Sequence, residues 1–246
     1  MKNWQKILIP FVITLTIGGM YLFIVFRQRS APGVTRNQPE QKLTADQLAI
    51  VRVEFPQHFE DVKDLEGKSV WMKNGYSMPY YPYTGGHVEW AKPAGLIPPG
   101  QRLEIKKAIK AAVPAKVDDS ISHGTQQALV VFTLPGGTAQ FATPVGALEG
   151  SASEQYFDDL LFYYDDPHTI YTNWPKDVWE AIDAHQVKPG FSELQTRMAI
   201  GSKAQYDGGK EGERTAIYTV NGKQITVTFE HDKATKIQEQ PVAGSQ

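Results

Sequence analysis

The chain has 246 residues, 41% hydrophobic and 21% charged, so it has the material for a packed core and is not disordered throughout. Its 25 basic and 27 acidic residues leave no cationic excess for a phosphate backbone, and nucleic acid is not predicted as a partner. The absence of cysteine excludes disulfides, thiolate metal ligands and a cysteine nucleophile.

The first predicted element is a membrane anchor. The run from Ile7 to Phe26 carries no charge, and at about 1.5 Å per residue a helix of this length spans about 30 Å, the thickness of a bilayer's hydrocarbon core. A cleaved signal peptide is the competing interpretation, but the run is long and no small-residue cleavage site follows it. We therefore expect residues 1–28 to be a single-pass transmembrane helix that inserts into the lipid bilayer.

A linker follows the predicted anchor. Residues 29–42 are polar, contain two prolines and a glycine, and show no apolar periodicity, which is typical of a flexible connection. Basic residues flank the apolar run on both sides, with a slight excess after it that favours a cytoplasmic body.

The next predicted unit, residues 43–150, is rich in strand signals. Thr44 and Gln47 form a capping-box pattern, which predicts a short helix over 45–53. Pro135-Gly136-Gly137 predicts a hairpin loop between two apolar stretches. Strands are predicted at 69–72, 127–134 and 138–145, and 102–113 fits either a strand or a helix.

Two turn-rich stretches in this unit carry a resemblance. They are Leu65-Glu66-Gly67-Lys68-Ser69-Val70-Trp71 and Gly95-Leu96-Ile97-Pro98-Pro99-Gly100-Gln101-Arg102-Leu103. They resemble the first strand and a later strand entry of bacterial SH3-like barrels. The resemblance implies a small SH3-like barrel for residues 43–150.

Between those stretches lies a tyrosine-rich segment, GYSMPYYPY, at residues 75–83. Tyr76, Tyr80, Tyr81 and Tyr83 are the candidate binding residues, because tyrosine rings beside prolines are suited to stacking on a peptide, a glycan or a polyproline ligand. In the alternative, which we prefer, the prolines hold an extended loop and the tyrosines pack over the barrel with their hydroxyls in water.

The predicted connecting segment, residues 151–174, contains the stretch DLLFYYDDPH. Asp158, Asp159, Asp165, Asp166 and His168 supply enough carboxylate and imidazole for a divalent metal or a general base. Asp158, Asp165 and His168 are the candidate metal ligands. The simpler interpretation, which we favour, is a turn at Asp166-Pro167 that ends the apolar run at the seam between two folded units, with neither a metal nor a cofactor.

The last predicted unit, residues 175–240, has the order α-α-β-β-β. Helical spacing predicts a first helix over 176–185, and the capping box of Ser192 and Gln195 begins a second that ends at Gly201. Two alternating stretches then flank Asn221-Gly222, a hairpin turn, and a third strand is predicted at 234–238.

The same unit carries the second resemblance, on Gln186-Val187-Lys188-Pro189-Gly190-Phe191-Ser192-Glu193-Leu194-Gln195, Ala199-Ile200-Gly201 and Val227-Thr228-Phe229. Over about residues 177–238 the chain resembles the SmpA/OmlA (BamE-like) family. Members of that family are envelope proteins that bind partner proteins and help to assemble the outer membrane. The resemblance implies a BamE-like unit and favours an extracytoplasmic, periplasmic body over the cytoplasmic one.

The predicted fold class is therefore α+β, with a transmembrane helix, a small SH3-like unit and a small α-α-β-β-β BamE-like unit. Hydrolase, nucleotide-binding and metalloprotease motifs are absent from the sequence. We expect a membrane-anchored envelope protein that binds another envelope protein or a cell-wall polymer without catalysis. The alternative is a membrane-anchored metal-dependent hydrolase that uses the acidic stretch between Asp158 and His168.

Overall fold

The structure is a computed structural model that describes residues 4–30, 43–74, 78–114, 117, 126–149, 153–201, 204–220 and 222–241. The chain divides into two compact units, Met1–Thr44 and Ala45–Gln246. Within the described residues the helices are α1 (Gln5–Ser30), α2 (Phe59–Lys63), α3 (Asp158–Leu161), α4 (Pro167–Ile170), α5 (Lys176–Asp183) and α6 (Glu193–Ile200). The strands are β1 (Ser69–Met72), β2 (Met78–Thr84), β3 (His87–Val88), β4 (Gly95–Ile97), β5 (Arg102–Ala111), β6 (Gln126–Thr133), β7 (Gln140–Glu149), β8 (Ser153–Tyr156), β9 (Phe162–Tyr163), β10 (Ala204–Tyr206), β11 (Thr215–Val220), β12 (Lys223–Glu230) and β13 (Lys233–Pro241).

The first unit contains α1, a helix of 26 residues. Among the described residues, none of the helices combines the length and the apolar character needed to cross a membrane. This finding overturns the predicted transmembrane helix at 7–26, and with it the single-pass membrane localisation with a periplasmic body.

The second unit begins with a nine-stranded antiparallel sheet in the order β3-β2-β7-β6-β5-β1-β9, with β4 added to β2 and β8 added to β7. Its central strand β6 is buried at every position from Gln127 to Thr133, so apolar residues cover both of its faces. Residues 102–113, which fit either a strand or a helix, form the strand β5 over most of their length. The hydrophobic cluster on one face, called the sheet core, includes Val62, Met72, Met78, Leu103, Ile105, Val130, Phe132, Leu161, Phe162 and Tyr164.

A second, four-stranded antiparallel sheet follows in the order β10-β11-β12-β13. Val220 pairs with Lys223, so β11 and β12 form the hairpin predicted at this point of the chain. The capping box is also confirmed: the Ser192 hydroxyl accepts the Gln195 N–H at 3.1 Å, and the Gln195 side chain accepts the Ser192 N–H at 2.9 Å. The cluster between this sheet and the helices, called the helix core, includes Tyr163, Tyr171, Trp174, Trp179, Ile182, Phe191, Met198, Tyr218, Val227 and Phe229.

The predicted α+β fold class, with a transmembrane helix, an SH3-like unit and an α-α-β-β-β unit, is wrong. The chain is mostly β-sheet, arranged in two antiparallel sheets with a few short helices. The sheet is larger than the barrel predicted for residues 43–150. It has nine strands and includes β9, which lies after residue 150 and pairs with β1. In the last unit, β10 adds a fourth strand before the predicted hairpin. The predicted helix over 45–53 is a turn at 45–48 followed by irregular chain.

The two-residue strand β9 joins the two hydrophobic cores. Trp71 pairs with Tyr163 and Met72 pairs with Phe162. Because successive side chains of a strand point to opposite faces, Phe162 enters the sheet core while Tyr163 enters the helix core. The stretch that was predicted to be a seam therefore supplies side chains to both hydrophobic cores.

Replacing Phe162 by alanine is expected to lower the free energy of unfolding by about 3–5 kcal/mol, because a fully buried ring is lost and leaves a cavity. Leu160 is the matched control, since it lies two residues away and is 52% exposed. Its replacement by alanine should change stability by about 0.5 kcal/mol or less. Urea unfolding of both variants measures the difference, and equal losses would contradict the role given to β9.

Candidate functional site

The acidic stretch was the first candidate site, and its first two carboxylates differ in burial and in hydrogen-bond partners. Asp158 is only 1% exposed and accepts the hydroxyl of Tyr164 at 3.1 Å. The Asp159 carboxylate instead accepts the backbone N–H of Glu54 at 2.8 Å and that of Phe55 at 2.6 Å. Each carboxylate therefore has its own structural partner.

The later residues of the stretch are also engaged separately. Asp165 forms an ion pair with Arg52 at 3.3 Å. Asp166 caps α4 by accepting the N–H of His168 at 2.9 Å, as the turn interpretation predicted. Among the described residues, there is no group of three or more His, Asp or Glu that could hold a metal ion. The structure thus does not gather Asp158, Asp165 and His168 into one ligand set.

Asp158 is the most perturbed acid of the stretch. Burial raises the pKa of its carboxyl group from 3.8 to about 6, although the hydroxyl of Tyr164 opposes this shift. Its second oxygen, Oδ1, has no hydrogen-bond partner within the described structure. Close by, burial lowers the pKa of Lys73, whose Nζ donates to the backbone carbonyl of Asp159. These shifts follow from packing and desolvation in the sheet core.

The tyrosines of the predicted groove lie on two faces of β2. Tyr76 lies outside the described residues. Tyr80 contacts Phe141 edge-on, with ring centroids 5.0 Å apart, and packs against the sheet core. Tyr81 contacts Trp90 at 4.9 Å, and Tyr83 belongs to a small cluster with Leu129 and Val131. Tyr80 is therefore on the face opposite Tyr81 and Tyr83, and the three rings do not line one surface.

A different concave surface lies beside α4 and α5. Two cavities of about 150 and 520 Å³ share the residues His168, Trp179 and Asp183. We call this surface the aromatic cleft. The smaller cavity is also lined by Trp71, Gln101, Arg102 and His185, and the larger one by Thr172, Trp174, Lys176 and Glu180.

His168 is held firmly at the point where the two cavities meet. Its ring stacks on Trp179 with centroids 4.0 Å apart and planes at 26°. Its Nδ1 lies 2.9 Å from an Asp166 oxygen, and its Nε2 lies 3.7 Å from an Asp183 oxygen. The imidazole is thus fixed by an aromatic face on one side and by carboxylates at both nitrogens.

His185 presents a nitrogen to the smaller cavity. Its Nδ1 lies 2.9 Å from the carbonyl oxygen of Ala199. Because a carbonyl only accepts hydrogen bonds, Nδ1 carries the hydrogen, and in the neutral ring Nε2 is left as an acceptor. His185 adopts a φ of 53° at the end of α5, so the turn after the helix sets the position of this ring.

The opposite wall of the smaller cavity comes from β1 and β5. The Arg102 guanidinium lies over the Trp71 ring, 5.9 Å from its centroid. The Nε and Nη2 of Arg102 both donate to the hydroxyl of Ser69, at 3.2 and 3.0 Å. This wall therefore offers an indole and a guanidinium whose orientation is set within the sheet.

Local sequence patterns indicate only part of this cleft. His168 is one of the candidate metal ligands, and Trp179 lies within the predicted helix over 176–185. Gln101 and Arg102 reach the same cavity from more than sixty positions earlier in the chain. Only the pairing of β1 with β5 and β9 brings them together, and that pairing has no local sequence signal.

The buried carboxyl of Asp158 generates a prediction about pH. Because its folded pKa of about 6 lies above its ordinary value of 3.8, the folded state binds the proton more tightly, and stability falls as the pH rises between these values. Asp158→Asn should remove this fall and stabilise the protein above pH 6, by up to about 3 kcal/mol. Thermal unfolding across pH 4 to 7 measures it. Asp177→Asn, an exposed control, should keep the wild-type slope, and an unchanged slope in Asp158→Asn would contradict the assignment.

Comparison with protein-family models, with curated proteins and with solved structures finds no match to this chain. The SmpA/OmlA and SH3-like resemblances stay predictions from the sequence.

Proposed function

We propose that the protein is a binding module without a catalytic role, and that its ligand is a neutral glycan chain bound in the aromatic cleft. The observation that carries this proposal is the stack of His168 on Trp179 at the junction of two cavities. A sugar ring presents one apolar face and a rim of hydroxyls, so it is suited to a site in which aromatic rings stand beside polar side chains.

The charges of the cleft support a neutral ligand. Arg102 and Lys176 are balanced by Glu180 and Asp183, so the cleft carries no excess of either sign. Its lining residues include both donors, such as Arg102 and Lys176, and acceptors, such as Glu180 and Asp183. Hydroxyl groups donate and accept at once, so a glycan satisfies both sets, whereas an anionic or cationic polymer would leave one set unpaired.

The size of the cleft supports an oligosaccharide as the ligand rather than a single small ion. The larger cavity, about 520 Å³, falls in the range of about 300–1,000 Å³ that is common for small-molecule sites. The smaller cavity adjoins it through His168, Trp179 and Asp183, which allows consecutive sugar units to occupy both. Of the two partner classes expected from the sequence, a cell-wall polymer agrees better with this lining than a second envelope protein.

A non-catalytic role is supported by the placement of the acidic stretch. Asp159, Asp165 and Asp166 each bind a structural partner at 3.3 Å or less, so none of them stands ready to activate water. Asp158 is buried below the surface. The metal-dependent hydrolase considered from the sequence finds no supporting arrangement in the described residues.

The test is titration of the protein with tetra-N-acetylchitotetraose and cellotetraose, followed by tryptophan fluorescence and calorimetry. Saturable binding is expected for at least one of these neutral oligosaccharides, and none for oligogalacturonate, which is acidic. Asp183→Asn should weaken binding about tenfold, because a hydrogen bond to a charged group contributes about 1.5–3 kcal/mol. Asp177→Asn is the matched control, since it lies on α5 but does not line the cleft.

Two results would contradict the proposal. The first is a lack of saturable binding of both neutral oligosaccharides by the wild-type protein. The second is the appearance of shorter sugars after prolonged incubation, lost in Asp183→Asn, which would identify a glycosidase in place of a binding module.

A further inference from the structure

The segment 45–57, called the strap, lies across the second unit and is fastened mainly by carboxylates. Asp46 accepts the indole N–H of Trp174 at 2.8 Å. Asp159 accepts the N–H groups of Glu54 and Phe55. Between these points Ala49 and Val51 pack against the helix core. The strap is thus held on its inner side at three places along its length.

The strap exposes an unusually large number of apolar side chains. Ile50 is 90% exposed, Phe55 is 71% exposed, Leu48 is 62% exposed and Val53 is 43% exposed. Single exposed apolar residues are common on protein surfaces, but four within eight residues mark an interaction surface. Leu160, 52% exposed, follows directly after the Asp159 that binds the strap and extends the same surface.

The backbone of the strap also has an open edge. Residues 49–54 are neither helical nor turned, and Ala49 and Val51 face inward while Ile50 is exposed, an alternation typical of an extended chain. The extended run ends at Phe55, which has a φ of 50°. Within the run successive N–H groups point to opposite sides, so when that of Glu54 is bound to Asp159, those of Val51 and Val53 point away from it. Among the described residues, the N–H and C=O groups of Val51 and Val53 have no hydrogen-bond partner.

We propose that this edge pairs with the strap of a second copy of the chain, antiparallel and symmetric about Val53. The two Val53 residues then exchange two backbone hydrogen bonds, with Cα atoms about 5.5 Å apart.

The charges of the strap select this register. With the symmetry axis at Val53, Arg52 lies opposite Glu54 of the partner subunit, and Glu54 lies opposite the partner's Arg52. Such cross-strand pairs of opposite charge are stabilising, whereas like charges directly opposite each other are destabilising. Moving the axis by one residue places Arg52 against the partner's Arg52, or Glu54 against the partner's Glu54. The self-complementary order Arg-Val-Glu is the reason for choosing a second copy as the occupant.

The side chains of Arg52 and Glu54 are already positioned to pair with those of a second copy. Arg52 binds Glu54 of its own chain at 2.9 Å, and both side chains are about half exposed, so they are available at the surface. Arg52 is also supported from below by Asp165 at 3.3 Å and by the Tyr164 ring, 5.5 Å from its guanidinium carbon. The guanidinium group of Arg52 is therefore oriented before the second copy binds.

The first test uses charge reversal in the full chain. Sedimentation velocity of the wild-type protein should show a dimer that increases with concentration. Arg52→Glu alone and Glu54→Arg alone should both be monomeric, because each places like charges opposite each other in a pair of identical chains. Mixing the two variants should restore a one-to-one dimer, because each then meets the opposite charge. Lys63→Glu, outside the strap, is the control and should dimerise like the wild type.

The second test uses the absence of cysteine from the chain. Val53→Cys introduces the only thiol, and the proposed register puts the two Cα atoms at about 5.5 Å, within the range of about 4.4–6.8 Å that a disulfide needs. A disulfide-linked dimer should therefore form rapidly under mild oxidation. Ile50→Cys is the control, because its Cα lies about 20 Å from that of the partner's Ile50 at about 3.3 Å per residue.

Three results would overturn the proposal. They are a wild-type chain that stays monomeric at every concentration, single variants that associate as strongly as the wild type, and equal crosslinking of Val53→Cys and Ile50→Cys. If the mixed variants fail to associate while the wild type dimerises, the dimer uses another surface and the strap register is wrong. Circular dichroism of each variant checks that a lost dimer does not reflect lost folding.

Discussion

The pairing of β9 with β1 is the constraint on which the rest of the second unit depends. This strand has two residues, and it places Phe162 in the sheet core and Tyr163 in the helix core. The two cores are therefore joined at β9. Because the chain leaves this joint directly into the turn at Asp166, the position of α4 is set within a few residues of a buried strand. The ring of His168, which lines both cavities of the cleft, therefore lies five residues after a buried strand.

Features decided by neighbouring residues were predictable from the sequence. The capping box of Ser192 and Gln195 and the hairpin closed by Val220 and Lys223 depend on local backbone chemistry, and both were predicted. Pairing between distant strands has no such local signal. The pairing of β9 with β1 was therefore not predicted, and neither was the position of Arg102 in the wall of the cleft. The break in the chain at Asp166-Pro167 was predictable because an aspartate before proline has a strong local preference for a turn or a helix start, and Asp166 caps α4.

Several carboxylates among the described residues accept hydrogen bonds from backbone N–H groups. Asp61 accepts the N–H groups of Gln57 and His58 ahead of α2, and Asp159 does the same for the strap. Each replaces a missing secondary-structure partner with a charge-assisted hydrogen bond, which suits a segment that has no sheet of its own. Asp158 is different, because its carboxyl group is buried and one of its oxygens has no hydrogen-bond partner among the described residues. Ionisation of this group therefore lowers the free energy of unfolding.

Trp174 belongs to two surfaces at once. Its ring lines the larger cavity and packs on Trp179, while its indole N–H donates to Asp46 at the start of the strap. The same side chain therefore contacts both the proposed ligand site and the start of the strap. If a ligand in the cleft moves the Trp174 ring, it changes the free energy of strap attachment, and by linkage the attached strap changes the free energy of ligand binding by the same amount.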